Sequence, residues 1–352
     1  MTTVSAVVHT HPSDSLLVRA ARRQAVERTP VWFMRQAGRS LPEYREARAG
    51  TPMLEACRTP DLVTEITLQP VRRHGVDAAI FFSDIVVPLA AVGVDVDIVA
   101  GTGPVVAKPI RTRADLDRLP ELTPDQVPDI AESVRRIAAA LGGTPLIGFA
   151  GAPFTLASYL VEGGPSRNHE NTKALMYGDP ELWHDLCARL AQIAGAFLRV
   201  QAQAGASVVQ LFDSWVGALS RDDYLEFVAP YSRRILDAMD VPTIHFGTGT
   251  AHLLETMAEI GGDVIGLDWR VRLDEGWERV GHDRGVQGNL DPALLLGPFD
   301  RAERQALTVL ERAGGRPGHI FNLGHGVMPD TDPADLRRLV DLVHERTTSV
   351  AE

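Results

Sequence analysis

The sequence predicts a protein of the α/β class, built as a single (β/α)8 barrel that spans residues 16–352. First, short apolar runs of β type recur along the chain, each followed by polar or glycine-rich residues. Second, helical patterns separate most of these runs, and strands that alternate with helices form parallel sheets. Third, eight such runs fit a closed barrel better than a doubly wound sheet. The predicted strands are Val31–Met34, Ala79–Phe82, Leu146–Ala150, Val208–Phe212, Thr243–Phe246, Val264–Leu267, Val286–Gly288 and Ile320–Leu323.

The helices between the strands are predicted from apolar spacing and from residues that stop a helix. Apolar side chains recur every three or four residues over 130–141 and again over 182–200, and glycine follows both patterns at Gly142 and Gly205. Thr59 and Pro60 form the pair expected at the start of a further helix.

Two segments depart from the repeating pattern. Residues 95–110 contain the sequence Gly-Thr-Gly-Pro at their centre, which predicts a β-hairpin inserted between the first repeats. Residues 1–15 are rich in Thr, Ser, His and Pro, and we expect them to form a disordered tail. Whether Val31–Met34 belongs to the ring of strands stays open from the sequence alone.

Composition excludes several classes of protein. The 352 residues include 46 acidic and 35 basic side chains, a net charge of −11 that argues against a general nucleic-acid binder. Cys57 and Cys187 lie far apart and outside any metal-binding spacing, which argues against a disulfide framework or a structural zinc site. No secretory signal is visible, and no apolar run approaches the roughly 18 residues of a membrane span. We therefore expect a cytoplasmic protein that binds neither nucleic acid nor membrane.

The barrel prediction places functional residues just after the strands, where the βα loops form the active face. Eight arginines lie between residues 16 and 50 against three glutamates, a local charge of +5. Those from Arg19 to Arg28 are expected on a solvated helix face. Arg35 and Arg39 instead flank a Gln-Ala-Gly loop after an apolar run, and guanidinium groups bind carboxylates through paired hydrogen bonds. We expect these two to bind an anionic ligand.

Four other residues after strands could contribute to the same site. Asp84 follows a buried strand, although it could instead cap a helix or pair with an arginine. Tyr159 could be a core residue and Ser214 a helix cap, whereas His325 lies between two glycines that expose its ring to a ligand. The further residues at strand ends are Gly247–Thr250, Asp268, Trp269 and Asn289.

Two motifs do not carry the functions they suggest. The sequence from Gly247 to His252 resembles a dinucleotide-binding fingerprint, but His252 replaces the third glycine and the motif lies two-thirds along the chain. A triad of Ser214, His325 and Asp84 can be written, but no GxSxG elbow supports it.

Several longer strings are similar to those of a known family. They are PVWFMRQAGRSLPEYR at 30–45, FSDI at 82–85, GFAGAPFTLASYLVEGG at 148–164, QLFDSW at 210–215, QGNLDP at 287–292 and NLGHG at 322–326. In these strings the chain resembles the uroporphyrinogen decarboxylase family, and the resemblance extends from about residue 16 to 345.

The resemblance implies a (β/α)8 barrel, usually a homodimer, that removes CO2 from the four acetate groups of uroporphyrinogen to give coproporphyrinogen without metal or cofactor. It implies that the catalytic residues are Arg35, Arg39, Asp84, Tyr159 and His325, and that the substrate-binding set adds Gln36, Ala37, Gly38 and Ser214. The chemistry of the residues agrees, because a substrate with eight carboxylates requires locally concentrated arginine.

Two other functions are compatible with parts of the sequence. A corrinoid-dependent methyltransferase of related fold uses zinc, but neither cysteine lies in the His-x-Cys string that such chemistry usually needs. A non-catalytic tetrapyrrole carrier would keep the arginines but would not need Asp84.

Overall fold

The computed structural model describes residues 12–348, and its centre is a curled parallel sheet. The strands are β1 Ala79–Ile80, β2 Val96–Val99, β3 Gly103–Val106, β4 Leu146–Gly151, β5 Val208–Phe212, β6 Thr243–Phe246, β7 Val264–Gly266, β8 Gly285–Gln287 and β9 His319–Ile320. The sheet order is β1-β4-β5-β6-β7-β8-β9, with every neighbouring pair parallel. The predicted α/β barrel class is confirmed. β5 and β6 have the predicted bounds, β4 is one residue longer, β8 is shifted by one residue, and β1, β7 and β9 are shorter than predicted.

The segment at residues 30–32 closes the ring between β9 and β1. Val31 forms a parallel bridge with Phe321, and the Trp32 N–H donates to the Phe321 carbonyl over 3.3 Å. On the other side, the Asp77 N–H donates to the Val31 carbonyl over 2.8 Å. The segment therefore occupies the eighth position of the barrel, but it pairs through a single bridge instead of a regular strand.

A buried glutamine completes this closure. Gln36 is fully buried, its Oε1 accepts from the Phe33 N–H at 2.9 Å, and its Nε2 donates to the Ala78 carbonyl at 2.9 Å. Its side-chain amide thus joins the closing segment to the backbone before β1, next to the Asp77–Val31 hydrogen bond. These two bonds stabilise the fold, because a buried backbone N–H or carbonyl without a hydrogen-bond partner lowers the free energy of unfolding.

The barrel interior contains a chain of polar side chains among apolar ones. Trp32 Nε1 donates to Gln287 Oε1 at 2.9 Å, and Gln287 Nε2 donates to Gln210 Oε1 at 3.1 Å. All three side chains are buried. These two hydrogen bonds connect the closing segment to β8 and β5 through the centre of the barrel.

The helices lie between the strands, and both strongly periodic predictions are confirmed. The pattern over 130–141 is the helix Pro128–Leu141, and that over 182–200 is Pro180–Ala204, which ends at Gly205 with φ +127°. The predicted helix start at Thr59 is also observed, but the Thr59 hydroxyl donates backwards to the Glu55 carbonyl instead of capping its own helix. The helices are α1 Leu16–Ala21, α2 Pro42–Ala47, α3 Met53–Ala56, α4 Pro60–His74, α5 Val87–Ala91, α6 Arg113–Leu116, α7 Pro128–Leu141, α8 Pro153–Glu162, α9 Glu170–Gly178, α10 Pro180–Ala204, α11 Arg221–Phe227, α12 Ala229–Leu236, α13 Leu254–Ile260, α14 Leu273–Val280, α15 Phe299–Ala313 and α16 Pro333–Thr347.

The predicted hairpin is present as β2 and β3. The two strands are antiparallel, with Val96 opposite Val106. The Val106 N–H also donates to the Gly163 carbonyl at 2.9 Å, which fixes the hairpin to the end of α8.

The N-terminal tail predicted over residues 1–15 falls largely outside the described residues. Residues 1–11 are not described, Pro12–Asp14 form a 3₁₀ turn, and Ser15 caps α1 through the Val18 N–H. Within residues 12–348, no helix combines the length and apolar character needed to cross a bilayer.

Candidate active site

The loop that follows the closing segment presents two unpaired arginines. Arg35 and Arg39 adopt positive φ angles of +61° and +27°, which non-glycine residues rarely do, and Gly38 between them has φ +120°. Both arginines are exposed, and neither guanidinium forms a hydrogen bond or ion pair with any residue of 12–348. Strained backbone of this kind concentrates at functional sites. The loop therefore holds two cations ready for an external anion.

Other arginines of the same region are engaged within the protein. Arg19 pairs with Glu27 at 2.9 Å, and Arg28 pairs with Asp77 at 2.7 Å. The predicted helix face is wrong beyond Arg19, because α1 ends at Ala21 and Arg28 lies in the loop that follows. Arg19 and Arg28 nevertheless have carboxylate partners, which Arg35 and Arg39 lack among residues 12–348.

Asp84 lies just past β1, at the carboxyl end of the sheet. Its Oδ1 accepts from the Val86 N–H at 3.1 Å, and its carbonyl accepts from the Val87 N–H at the start of α5. Burial raises the pKa of Asp84, while the Val86 N–H and the charges of Arg35 and Arg39 oppose that rise. No ion pair forms between Asp84 and an arginine within the described residues. Oδ1 thus closes a turn before α5, whose N-cap is Val86 and has no side-chain cap, so Asp84 is not the helix N-cap. The ion-pair alternative is not observed among the described residues either.

His325 is held as a neutral ring. Burial lowers its pKa to about 4, and the charges of Arg35, Arg39 and Arg270 act in the same direction. Its Nδ1 accepts from the Gly326 N–H at 2.7 Å, so the proton of the neutral ring lies on Nε2. His325 therefore offers a hydrogen-bond donor, as a carboxylate ligand requires.

The two glycines beside His325 allow close approach from two sides. A Cβ on Gly326 would lie 2.5 Å from the Cδ of Arg35, and a Cβ on Gly324 would lie 2.4 Å from the backbone nitrogen of Trp269. The histidine is thereby brought against both the arginine loop and the loop after β7.

Tyr159 projects from α8 and is half-buried. Burial and the charge of Asp84 raise the pKa of Tyr159 to about 12, whereas Arg35 opposes the rise. Its ring packs 4.3 Å from that of Trp215, the residue after Ser214. The phenol therefore stays protonated and lies within the electrostatic reach of the arginine loop and Asp84.

The remaining predicted residues lie in different surroundings. Ser214 is half-buried after β5, and its carbonyl accepts from the Thr248 hydroxyl at 2.7 Å. Ala37 is half-buried, whereas Gln36 is fully buried with both ends of its amide bonded to backbone. Gln36 thus supports the barrel wall instead of presenting its side chain to a ligand.

These residues share one electrostatic environment. The pKa of Arg39 is lowered by partial desolvation of its guanidinium and by the charge of Arg35, while Asp84 acts in the opposite direction. Arg35 and Arg39 both act on His325, and Arg35 acts on Tyr159. The structure therefore brings the five predicted catalytic residues together at the strand ends.

Arg270 is not among the residues that the sequence predicts for the site. It follows Asp268 and Trp269, which were recognised as strand-end residues, and its charge acts on His325. The signal for it in the sequence is an arginine shortly after a strand end, as at Arg35.

The described residues contain no group of three or more His, Cys, Asp or Glu placed to hold a metal ion. Cys57 and Cys187 are both buried, and burial raises the pKa of each thiol.

Comparison with known proteins agrees with this geometry. The family model described as uroporphyrinogen decarboxylase (URO-D) matches residues 12–346. The chain belongs to the uroporphyrinogen decarboxylase family. Relatives named uroporphyrinogen decarboxylase include one from Streptomyces griseus, 64% identical over 95% of this chain and 92% of that protein, and one from Streptomyces coelicolor, 63% identical over 95% of each.

Solved structures extend the likeness of fold beyond the uroporphyrinogen decarboxylase family. A methyltransferase from Methanosarcina mazei superposes with a TM-score of 0.77 at 19% identity, covering 94% of this chain and 99% of that one. A B12-independent methionine synthase from Shewanella sp. W3-18-1 superposes with a TM-score of 0.56 at 11% identity, over 82% and 88%. At these identities the likeness concerns the fold alone. The methyltransferase alternative is not favoured, since the decarboxylase relatives are far more similar in sequence.

Proposed function

We propose that this protein removes CO2 from the four acetate side chains of uroporphyrinogen III and releases coproporphyrinogen III. The single observation that carries the proposal is the pair of unpaired arginines, Arg35 and Arg39, placed beside Asp84 in a chain of the decarboxylase family. An octa-anionic substrate needs such local cations in a protein whose net charge is −11.

The chemistry needs an electron sink, which the substrate itself provides. Protonation of a pyrrole ring carbon gives a cationic ring, and the C–C bond to the carboxylate then breaks with its electron pair flowing into that ring. A proton then adds to the exocyclic carbon and the proton on the ring carbon is released, which restores the pyrrole. Each acetate therefore consumes one proton overall and becomes a methyl group as CO2 leaves. No external cofactor is required to accept electrons.

Asp84 is assigned to the cationic ring. Its carboxylate would bind the pyrrole N–H groups and stabilise the positive charge that develops before CO2 departs. Those N–H donors also favour the ionised form of Asp84, which offsets the burial that raises its pKa in the free protein.

The other groups orient the carboxylates. Arg35 and Arg39 clamp them, while the protonated phenol of Tyr159, the Nε2–H of His325 and the Ser214 hydroxyl donate further hydrogen bonds. Because Tyr159 and His325 are both neutral donors near pH 7, they bind carboxylates without adding charge.

The test is anaerobic incubation of the purified protein with uroporphyrinogen III, with metal content measured and products separated by their number of carboxylates. We expect conversion to the four-carboxylate product, unchanged after treatment with a chelator. Binding without turnover would instead indicate a carrier, and activity lost on chelation and restored by zinc would indicate metal-dependent chemistry.

We further propose that the protein works in the cytoplasm as a homodimer, as the family resemblance implies. Sedimentation at micromolar concentration is expected to give the dimer mass. A monomer at that concentration would contradict this assembly.

A further inference from the structure

The loop after β7 carries an arginine that is held in place by several independent contacts. Arg270 Nη1 donates to Asp268 Oδ2 at 2.7 Å, and the Arg270 backbone N–H donates to Asp268 Oδ1 at 2.8 Å. The guanidinium carbon also lies 4.0 Å from the centre of the Trp269 ring. The Arg270 side chain is 51% exposed, so the guanidinium nitrogens other than Nη1 remain accessible to a ligand.

The support beneath Arg270 is itself buried and fully engaged. Asp268 is only 3% exposed, and its Oδ2 also accepts from the Gly249 N–H in the loop after β6. Asn289, in the segment after β8, donates from Nδ2 to the carbonyls of Asp268 and Val271 at 2.8 and 2.7 Å. Three successive strand ends therefore cooperate to fix one arginine side chain.

The position of this arginine connects it to the candidate site. The Trp269 ring lies parallel to that of His325, with an interplanar angle of 17° and centroids 6.5 Å apart. Gly324 lets the backbone of Trp269 approach, since a Cβ there would lie 2.4 Å from the Trp269 nitrogen. Arg35 approaches the same histidine from the Gly326 side, so His325 lies between the two arginine-bearing loops.

A neighbouring arginine shows that this arrangement is not general in the loop. Arg272 pairs with Asp274 at 2.7 Å and with Glu275 at 3.2 Å, two carboxylates that are themselves well exposed. Such surface pairs contribute little to stability and need no buried support. The buried Asp268 and the stacked Trp269 distinguish Arg270 from it.

We propose that Arg270 is a third carboxylate-binding guanidinium, which contacts a carboxylate of the substrate at the rim of the site beside His325. The inference rests on the proposed function and adds a specificity-determining residue to it. Because Asp268 compensates part of its charge, Arg270 acts through the direction of its N–H donors more than through long-range attraction.

The test compares Arg270→Gln with the matched control Arg272→Gln in anaerobic decarboxylation by the full chain. Loss of one charge-assisted contact is expected to raise KM about tenfold, while kcat changes less than about threefold. The control is expected to keep both constants within about twofold of the unmodified protein. An Arg270→Gln enzyme with the KM of the control would overturn the proposal, as would a loss confined to kcat.

A second variant covers the case in which Arg270→Gln disturbs folding. Arg270→Lys keeps a cation beside Asp268 but lacks the planar fork, and we expect its KM to rise several-fold with an unchanged melting temperature. A normal KM in the lysine variant would overturn the proposed contact. If the proposed function itself is wrong, the unmodified protein will leave uroporphyrinogen III unconverted, and this outcome differs from a normal KM in the Arg270 variants.

Discussion

At the scale of single residues, Asp84 carries the proposed chemistry. Asp84→Asn keeps the shape of the side chain but removes its charge and directs N–H donors toward pyrrole N–H groups. We expect kcat to fall by on the order of 10²–10³, because the charge that Asp84 stabilises appears after binding. Steady-state kinetics under anaerobic conditions measure this.

The comparison variant is Arg35→Lys, which keeps charge but loses the guanidinium fork, so its effect should fall mainly on KM. A near-normal kcat in Asp84→Asn would contradict the proposed role. It would indicate that Asp84 serves only the structure, through its hydrogen bond with the Val86 N–H.

The raised pKa of Asp84 also predicts a difference between two pH profiles. In the free protein burial raises the pKa of Asp84, whereas bound pyrrole N–H groups favour its ionised form and lower that pKa. The acid limb of kcat/KM reports the free protein and that of kcat the complex. We therefore expect activity to fall at a higher pH in the kcat/KM profile than in the kcat profile. Coincident acid limbs, or the reverse order, would contradict this assignment.

The glycines beside His325 provide a further test of local geometry. Gly326→Ala places a Cβ against the flexible stem of Arg35, so we expect Arg35 to move and KM to rise on the order of tenfold with little loss of stability. In Gly324→Ala the new Cβ would instead clash with the backbone nitrogen of Trp269, which cannot move aside as a side chain can. We expect this variant to lower the free energy of unfolding by about 1–3 kcal/mol. Kinetics and urea unfolding of both variants separate the two effects. An unchanged KM in Gly326→Ala would show that the Arg35 stem need not lie where the structure places it.

At the scale of elements, the closing segment depends on Gln36. Gln36→Met fills similar space but leaves the Phe33 N–H and the Ala78 carbonyl without partners, which should cost about 2–6 kcal/mol in the free energy of unfolding. The control is Gln305→Met on the exposed face of α15, expected to change that free energy by less than about 0.5 kcal/mol. Urea unfolding measures both, and equal stability of the two variants would refute a role for Gln36 in closure.

Elements with strong local signals were predictable from the sequence. The helices α7 and α10 follow from apolar spacing and a terminal glycine, and the strands follow from short apolar runs. The role of Gln36 was not predictable, because its partner Ala78 lies 42 residues away and no local pattern specifies that contact. The same holds for the support of Arg270, since Asn289 and Gly249 reach its loop only through the fold. The arginine loop and His325 were indicated by their own local sequence, and motif resemblance added the case for Asp84 and Tyr159. The hydrogen-bond roles of these residues required the structure.

At the scale of the whole molecule, a negatively charged protein must attract a negatively charged substrate. With a net charge of −11, long-range repulsion opposes binding, but at 0.1 M salt charges more than about 10 Å apart are already screened. Raising the salt further to 1 M mainly weakens the local contacts of the arginines. We therefore expect KM to rise between 0.1 and 1 M salt by more than kcat falls, measured in initial-rate assays. A flat KM over that range would indicate that arginine contacts contribute little to substrate affinity.

The single bridge between Val31 and Phe321 has a consequence for how the protein is made. The chain leaves the ribosome from its N-terminus, so the segment that holds Arg35 and Arg39 is synthesised almost 300 residues before its partner strand. Until Phe321 and Gly326 have emerged, the backbone of residues 30–32 is bonded only on the β1 side, through Asp77, and the stem of Arg35 lacks its contact with Gly326. A nascent chain therefore closes the ring beside its anion-binding loop only late in translation, and a truncated product that ends before Phe321 carries the arginines without that closure.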